Sequence, residues 1–343
     1  MAAFPVVVRF PPTALSPAAE NTGIIVAPGE SQTFSIGGVG LRIACQPGGH
    51  PLTLPGAYRL FLAPEVSADV NVRVGSAAVL ERADAPVIYG GGYHWRARGA
   101  AEAESTLCFE IFYPPTGETY CRMDGDAALS DVELVFGHEN LQRLPDDFTR
   151  QCEGRLWFPH PFEQIVLIPS LARRGGFLIH ACGAVVNGRA FVFAGHSGDG
   201  KTTLSRLLAD EGVELLSDER IAICETENGF VAHGTPWAGE GEVVSSARFP
   251  LGGVFVLRKA ATHRLTGGSS RGLESGAIGN LAAEVLARSL VPYYLPGEMA
   301  RILSLVKRAT HQVAFGELEF TREPGLRELL AEFESSDASD AVA

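Results

Sequence analysis

The sequence predicts an α/β (α+β) chain: a β-rich N-terminal domain followed by a core that carries a phosphate-binding loop. Three observations predict it. Apolar residues alternate with period two in short runs from about Val39 to Phe136. A glycine-rich loop, Gly195 to Thr202, stands between an apolar run and an amphipathic one. Beyond it, strand-like and helix-like spacings follow one another as far as Phe333. The expected organisation is a β-rich recognition or scaffold domain over 1–150, a nucleotide-binding domain over 151–335 and a disordered polar tail over 336–343.

At 343 residues, with 46% hydrophobic and 20% charged residues, the chain can bury the cores of two domains. A formal charge of -12 and a pI near 5.3 argue against nucleic acid as a partner, because that affinity comes from Lys and Arg on phosphates. Cys45, Cys108, Cys121, Cys152, Cys182 and Cys224 are scattered, with no Cys-x-x-Cys pair or zinc-type histidine grouping. They read as buried thiols of a reducing compartment. Met1-Ala2-Ala3-Phe4-Pro5 lacks a basic region followed by an apolar stretch, and no apolar run approaches the ~20 residues of a membrane span. A cytoplasmic protein with no membrane partner is expected.

In the first half, Val70-Asn71-Val72-Arg73-Val74 and Cys108-Phe109-Glu110-Ile111-Phe112 are the clearest half-buried strands. Pro114, Pro115 and Gly117 turn the second toward Thr119-Tyr120-Cys121-Arg122, which predicts a meander or small sandwich. His138 to about Phe162, with Pro145, Pro159 and Pro161, reads as a connection, and Gln164 to Leu171 as a helical run. Phe177 to His180 and Ala184 to Val186 then flank Cys182-Gly183, and Asn187-Gly188 turns a hairpin into the strand Ala190 to Ala194. After the loop, Leu204, Leu207 and Leu208 recur at helical spacing and Gly212 takes the C-cap position. Val213 to Leu216 and Arg220 to Cys224 are strands, with an Asn228-Gly229 hairpin after the second. Helices are expected near Ile278 to Ser289 and Gly297 to Arg308, and a last strand from Val313 to Phe320.

Gly195-His196-Ser197-Gly198-Asp199-Gly200-Lys201-Thr202 fits the pattern G-x-x-x-x-G-K-[ST], with Thr203 continuing into the helix. Glycines let backbone N–H groups approach a phosphate chain, Lys201 reaches the outer phosphates, and Thr202 offers a hydroxyl to Mg²⁺. ATP or ADP is the expected ligand. The acidic pair Asp218-Glu219 follows the next strand. A helix leading away and a strand leading back return these carboxylates beside Lys201 and Thr202. One would hold Mg²⁺ directly or through water and the other would accept a proton from an attacking hydroxyl. Arg248, Arg258 and Lys259 are isolated basic candidates for a phosphate contact.

Ile179-His180, the Asn187-Gly188 hairpin, the loop, its helix and Leu215-Leu216-Ser217-Asp218-Glu219 together resemble the catalytic core of the HPr kinase/phosphorylase family and its HPr-kinase-like relatives. That group belongs to the phosphoenolpyruvate carboxykinase-like nucleotide-binding superfamily. The resemblance covers about Gln164 to Leu257 and extends toward Phe333. It implies phosphoryl transfer from ATP to a serine-type hydroxyl of a protein, peptide or small molecule. In that scheme Lys201 neutralises the outer phosphates, Thr202 ligates Mg²⁺, Asp218 is the base, Glu219 is a second acid and His180 lies near the transferred phosphate. It also implies a downstream acid toward the metal, for which Glu240 and then Glu242, in and after His233-Gly234-Thr235-Pro236-Trp237-Ala238-Gly239-Glu240, are the candidates.

The sequence departs from the family in carrying Glu219 where those enzymes have Asp. Its first 150 residues differ from the HPr enzymes and look instead like HPr-kinase-like proteins tied to peptide modification. A reverse reaction with inorganic phosphate and a homo-oligomer are both compatible with the resemblance, whose members include hexamers. The alternative function is a non-catalytic ATP-binding switch. A decarboxylating carboxykinase would need a further His and Lys metal site and anion-holding arginines, which the sequence does not assemble.

Overall fold

The computed structural model describes residues 8–9, 23–81, 86–90, 95–98, 106–113, 115–145, 156–157, 161–268 and 275–340. Pro114, Cys152, Pro159 and residues 341–343 lie outside the described residues. The chain divides into two compact units, Ser16–Ser170 with Pro292–Pro296, and Leu171–Val291 with Gly297–Ala343 and Met1–Leu15. Strand outweighs helix in a mixed α/β chain. No helix among the described residues is long and apolar enough to cross a membrane.

Strand β1 (Val8–Arg9) belongs to the second unit. The first unit contains β2 (Ile24–Val26), β3 (Ser31–Ile36), β4 (Val39–Cys45), β5 (Leu52–Leu54), β6 (Val70–Ala77), β7 (Val87–Gly90), β8 (Trp95–Arg98), β9 (Leu107–Tyr113), β10 (Glu118–Gly125), β11 (Asp131–Gly137), helix α1 (His138–Gln142) and β12 (Leu156–Trp157). Strands β7 to β11 form an antiparallel meander, as the alternation predicts. The sheet then continues by parallel pairing, β11 to β6 and β6 to β4. Every second residue of β10 is buried, the signature of a sheet with one packed face. A smaller sheet orders β12-β5-β2.

Strand β9 is buried on both faces over Leu107–Ile111, which encloses Glu110 completely. A carboxylate there is tolerated only with compensation. The facing strand β8 supplies it: Arg96 and Arg98 both donate to Glu110 Oε2, Arg98 at 2.6 Å.

The second unit contains the end of α2 (Phe162–Arg173), β13 (Gly176–Val186), β14 (Arg189–Ala194), α3 (Lys201–Asp210), β15 (Glu214–Ser217), β16 (Arg220–Thr226), β17 (Gly229–His233), β18 (Val243–Val244), β19 (Arg248–Lys259), β20 (Arg264–Gly268), α4 (Ser275–Ala287), β21 (Ser289–Leu290), α5 (Pro296–Gln312), β22 (Ala314–Phe320) and α6 (Leu326–Asp340). The two apolar runs around Cys182-Gly183 are one continuous strand, β13. Residues Gly176–His180 pair with β16, and from Ala181 onward the strand pairs with β14. Asn187 at φ 49° and Gly188 at φ 79° supply the two positive φ angles of a tight hairpin turn. In the second hairpin only Gly229, at φ 105°, carries a positive φ, and it opens β17.

Strand β14 lies parallel to β19, and β19 parallel to β22. Phe191, Phe193, Phe255, Leu204 and Leu208 pack a core between these strands and α3. Helix α6 buries Leu326 and Leu330 and stands Phe333 edge-on to Phe255. Its helical backbone continues to Asp340, into the polar segment expected to be a disordered tail. The described cysteines Cys45, Cys108, Cys121, Cys182 and Cys224 are all buried.

Glu110→Ala should destabilise the first unit by about 3–5 kcal/mol, since it removes the buried carboxylate that Arg96 and Arg98 share. Asp131→Ala, which breaks the exposed pair with Arg73 (side chains 53% and 58% exposed), should cost about 1 kcal/mol or less. Urea unfolding followed by tryptophan fluorescence separates the two.

Candidate functional site

The glycine-rich loop runs from the end of β14 into α3, as its sequence requires. Gly198 (φ 88°) and Gly200 (φ 103°) occupy backbone conformations that L side chains resist. At Gly200 space is also short, because a Cβ would sit 2.8 Å from the Phe320 ring. Only glycine lets the loop fold down against the end of β22.

Because β14, β19 and β22 are parallel, their carboxyl ends gather on one side, where sheets of this kind bind ligands. A cavity of about 690 Å³ opens there. One wall is the loop and first turn of α3: Ser197, Gly198, Gly200, Lys201, Thr202 and Thr203. Facing parts of the lining are His180, Glu219 and Glu240, and the ends of β19 and β22 add Lys259, Thr321 and Arg322.

Lys201 is buried, and its Nζ donates to the carbonyls of Gly195 and His196 at 3.2 Å each. Burial pulls its pKa below the usual lysine value, with the carboxylates of Glu219 and Asp199 partly offsetting that. Asp199 turns back along the loop and accepts the His196 N–H at 2.6 Å.

The switch in β13 brings the other polar groups into place. His180 is the last residue paired with β16, its carbonyl accepts the Gly195 N–H, and the next N–H, of Ala181, donates to the Glu219 carbonyl. The backbone of one strand thus ties the loop to the acidic pair. The side chain follows: His180 Nε2 and Glu219 Oε2 are 3.1 Å apart, with Arg220 3.5 Å from the other carboxylate oxygen. Burial raises the Glu219 pKa. The hydrogen bond with His180 and the charges of His180, Arg220 and Lys201 outweigh it, leaving the carboxyl below the usual glutamate range.

Neighbouring Asp218 has a different environment. Ser217 Oγ accepts the N–H groups of Glu219 and Arg220, making a tight side-chain-to-backbone turn that parts the two acids. Asp218 is 1% exposed and accepts N–H groups of Gly239 (2.8 Å), Gly241 (2.6 Å) and Val243 (3.3 Å). Its carboxylate organises the turn that carries Glu240 to the cavity, and it is absent from the cavity lining.

Of the residues picked from the sequence, the cavity therefore brings together His180, Ser197, Gly198, Gly200, Lys201, Thr202, Thr203, Glu219, Glu240 and Lys259. Gly195, His196 and Asp199 shape the loop from its flank. Glu242, at φ 56°, lies in the Asp218-bound turn off the lining, Arg258 is engaged by Glu284 and Glu317, and Arg248 begins β19 at the opposite end from Lys259. Sequence reasoning missed Thr321 and Arg322, whose signal lies in the parallel pairing of β22. It also missed Arg288, which places its guanidinium 3.9 Å from Asp199 and its carbonyl on the His180 N–H. No preformed group of three or more metal-ligating side chains occurs among the described residues. No family model matches the chain, and no curated protein is significantly similar to it.

Asp218→Ala removes the acceptor of three backbone donors and should lower stability by about 3 kcal/mol or more, whereas Glu240→Ala should stay within about 0.5 kcal/mol. A depressed glutamate pKa stabilises the fold above the ordinary glutamate value, and that stabilisation is lost as pH falls through the depressed value. Melting temperatures scanned from neutral to acidic pH should therefore fall less steeply for Glu219→Gln than for the wild type.

Proposed function

We propose that this chain is an ATP- and Mg²⁺-dependent kinase that transfers the γ-phosphoryl group to a serine-type hydroxyl of a protein, peptide or small molecule. The observation that carries it is a single cavity with a phosphate-binding loop on one part of its lining and a His180–Glu219 pair on another. Phosphoryl transfer asks for that combination: donors and a cation around the phosphates, and a carboxylate where the nucleophile arrives. The order of the hairpin, loop, helix, strand and acidic pair supports a core of the HPr-kinase-like type. Scattered, buried cysteines support a reducing, cytoplasmic setting.

Loop N–H groups and Lys201 would hold the triphosphate, with Lys201 turning from the Gly195 and His196 carbonyls to the outer phosphates. The oxygens of Thr202 and Glu240 suit Mg²⁺, which binds one or two carboxylates and completes its shell with phosphate and water. Bound there, Mg²⁺ supplies neutralisation of charge on the phosphates. Asp218 is committed to the 239–243 turn, so the base role moves to Glu219, oriented by His180. The acceptor hydroxyl gives its proton to the Glu219 carboxylate as its oxygen bonds to the γ-phosphorus. The bond from that phosphorus to the bridging oxygen breaks, and ADP leaves with the electron pair.

Purified protein incubated with Mg²⁺, γ-labelled ATP and a lysate of its host should label a discrete acceptor, identified by mass spectrometry. Lys201→Ala should lose ATP affinity. Glu219→Gln should retain ATP binding and lose transfer by about 10²-fold or more. Unchanged labelling by Glu219→Gln would remove the assigned base, and no ATP binding would sink the reading altogether. Tight binding with slow hydrolysis and no acceptor would favour an ATP-operated switch.

A further inference from the structure

An acidic residue inside a phosphate-binding loop is an electrostatic anomaly, because it repels the ligand the loop is built to attract. Asp199 nevertheless sits there, and its Oδ2 holds the His196 N–H at 2.6 Å. With Lys201 donating to the Gly195 and His196 carbonyls, the loop's polar groups close on one another. Among the described residues, the cation outside the loop that approaches the same Asp199 oxygen is Arg288, whose Nη2 lies at 3.9 Å, beyond hydrogen-bond reach. Arg288 is 7% exposed at its side chain. Its Nη1 is fixed by the Glu284 carbonyl at 3.0 Å and carboxylate at 3.2 Å, while its buried Nε has no hydrogen-bond partner among the described residues. A buried guanidinium so held keeps an unpartnered donor at Nε and turns Nη2 toward the carboxylate.

We propose that Asp199 is an internal stand-in for phosphate, occupying the His196 N–H while the loop is empty, and that Arg288 is the positioning residue that receives it when nucleotide enters. The inference rests on the reading of Gly195–Thr202 as a nucleotide site. Entry of a polyanion repels Asp199 and competes for the loop donor. A short swing to Arg288 turns the 3.9 Å approach into a charge-assisted hydrogen bond and releases the N–H. Arg288 thus lowers the cost of carrying a carboxylate in the loop, and the loop stays closed on itself until ligand arrives.

The test is ATP affinity by calorimetry with Mg²⁺ on the full chain, for wild type, Asp199→Asn, Arg288→Gln, Arg288→Lys and the double variant Asp199→Asn with Arg288→Gln. Asp199→Asn, which removes the charge, should bind about tenfold more tightly. Arg288→Gln should bind about tenfold more weakly in the wild-type background and change affinity by less than about twofold with Asp199→Asn. Arg288→Lys, keeping the charge, should retain most of the wild-type affinity. Should Arg288→Gln fail to fold by circular dichroism, Asp199→Asn decides alone. Wild-type ATP binding that Asp199→Asn leaves unchanged or weakens overturns the stand-in while the nucleotide site stands. Equal loss from Arg288→Gln in both backgrounds reduces Arg288 to a structural role and also overturns it. ATP binding by none of the variants, with Asp199→Asn included, overturns the nucleotide site and this inference together.

Discussion

The second unit is organised around one backbone constraint, the change of partners within β13. A strand has two edges, and a long strand that twists cannot keep the same neighbours along its whole length. Here the exchange falls between His180 and Ala181. The hydrogen-bonding groups freed at that point are satisfied by structure that is not strand: His180 N–H by Arg288, His180 C=O by Gly195, and Ala181 N–H by Glu219. A buried backbone must pair its polar groups. Meeting that requirement at one point fixes the glycine-rich loop, the acidic segment and the residue after α4 against two adjacent residues, His180 and Ala181. The convergence of polar side chains on the cavity follows from satisfying the backbone beneath them.

The adjacent acids show how a turn assigns different work to similar groups. Ser217 takes two N–H donors on one oxygen and parts the side chains that follow. Asp218 goes inward, where three N–H groups replace the water it gives up. Glu219 goes to the cavity, where its partners are charged or ionisable. A carboxylate saturated by fixed amide donors is held in place and poorly placed to accept a proton. One paired with an imidazole and lining the cavity retains that capacity.

Much of the local structure was legible in the sequence because it is set by neighbours along the chain. The Asn187-Gly188 turn, the loop and the spacing of Leu204 and Leu208 each depend on residues a few positions apart. Those features appear where expected. Long-range pairing was not legible in this way. Nothing in the alternation of β6 says that β4 and β11 lie beside it in parallel, or that β22 lies beside β19, so Arg322 could not be assigned to the cavity. The separate fates of Asp218 and Glu219 were hidden for the same reason. They turn on Gly239, Gly241 and Val243, which reach Asp218 only in the folded chain.

The glutamate at 219, where the resembled enzymes carry aspartate, has a physical consequence in this geometry. Its backbone is pinned to Ala181 by the carbonyl, so the carboxylate's reach is set by the side chain alone. The additional methylene carries Oε2 to 3.1 Å from the His180 ring while the group still lines the cavity. The His180 and Glu219 side chains are each 25% exposed, so the pair lies partly shielded from water, where its mutual attraction is stronger than on an open surface. That attraction lowers the Glu219 pKa and so weakens it as a base in the empty site. In the proposed reaction the polyphosphate adds negative charge on the same cavity, which raises a carboxylate's proton affinity. On that proposal the base would strengthen when the phosphoryl donor is in place, and the empty site would leave stray hydroxyls alone.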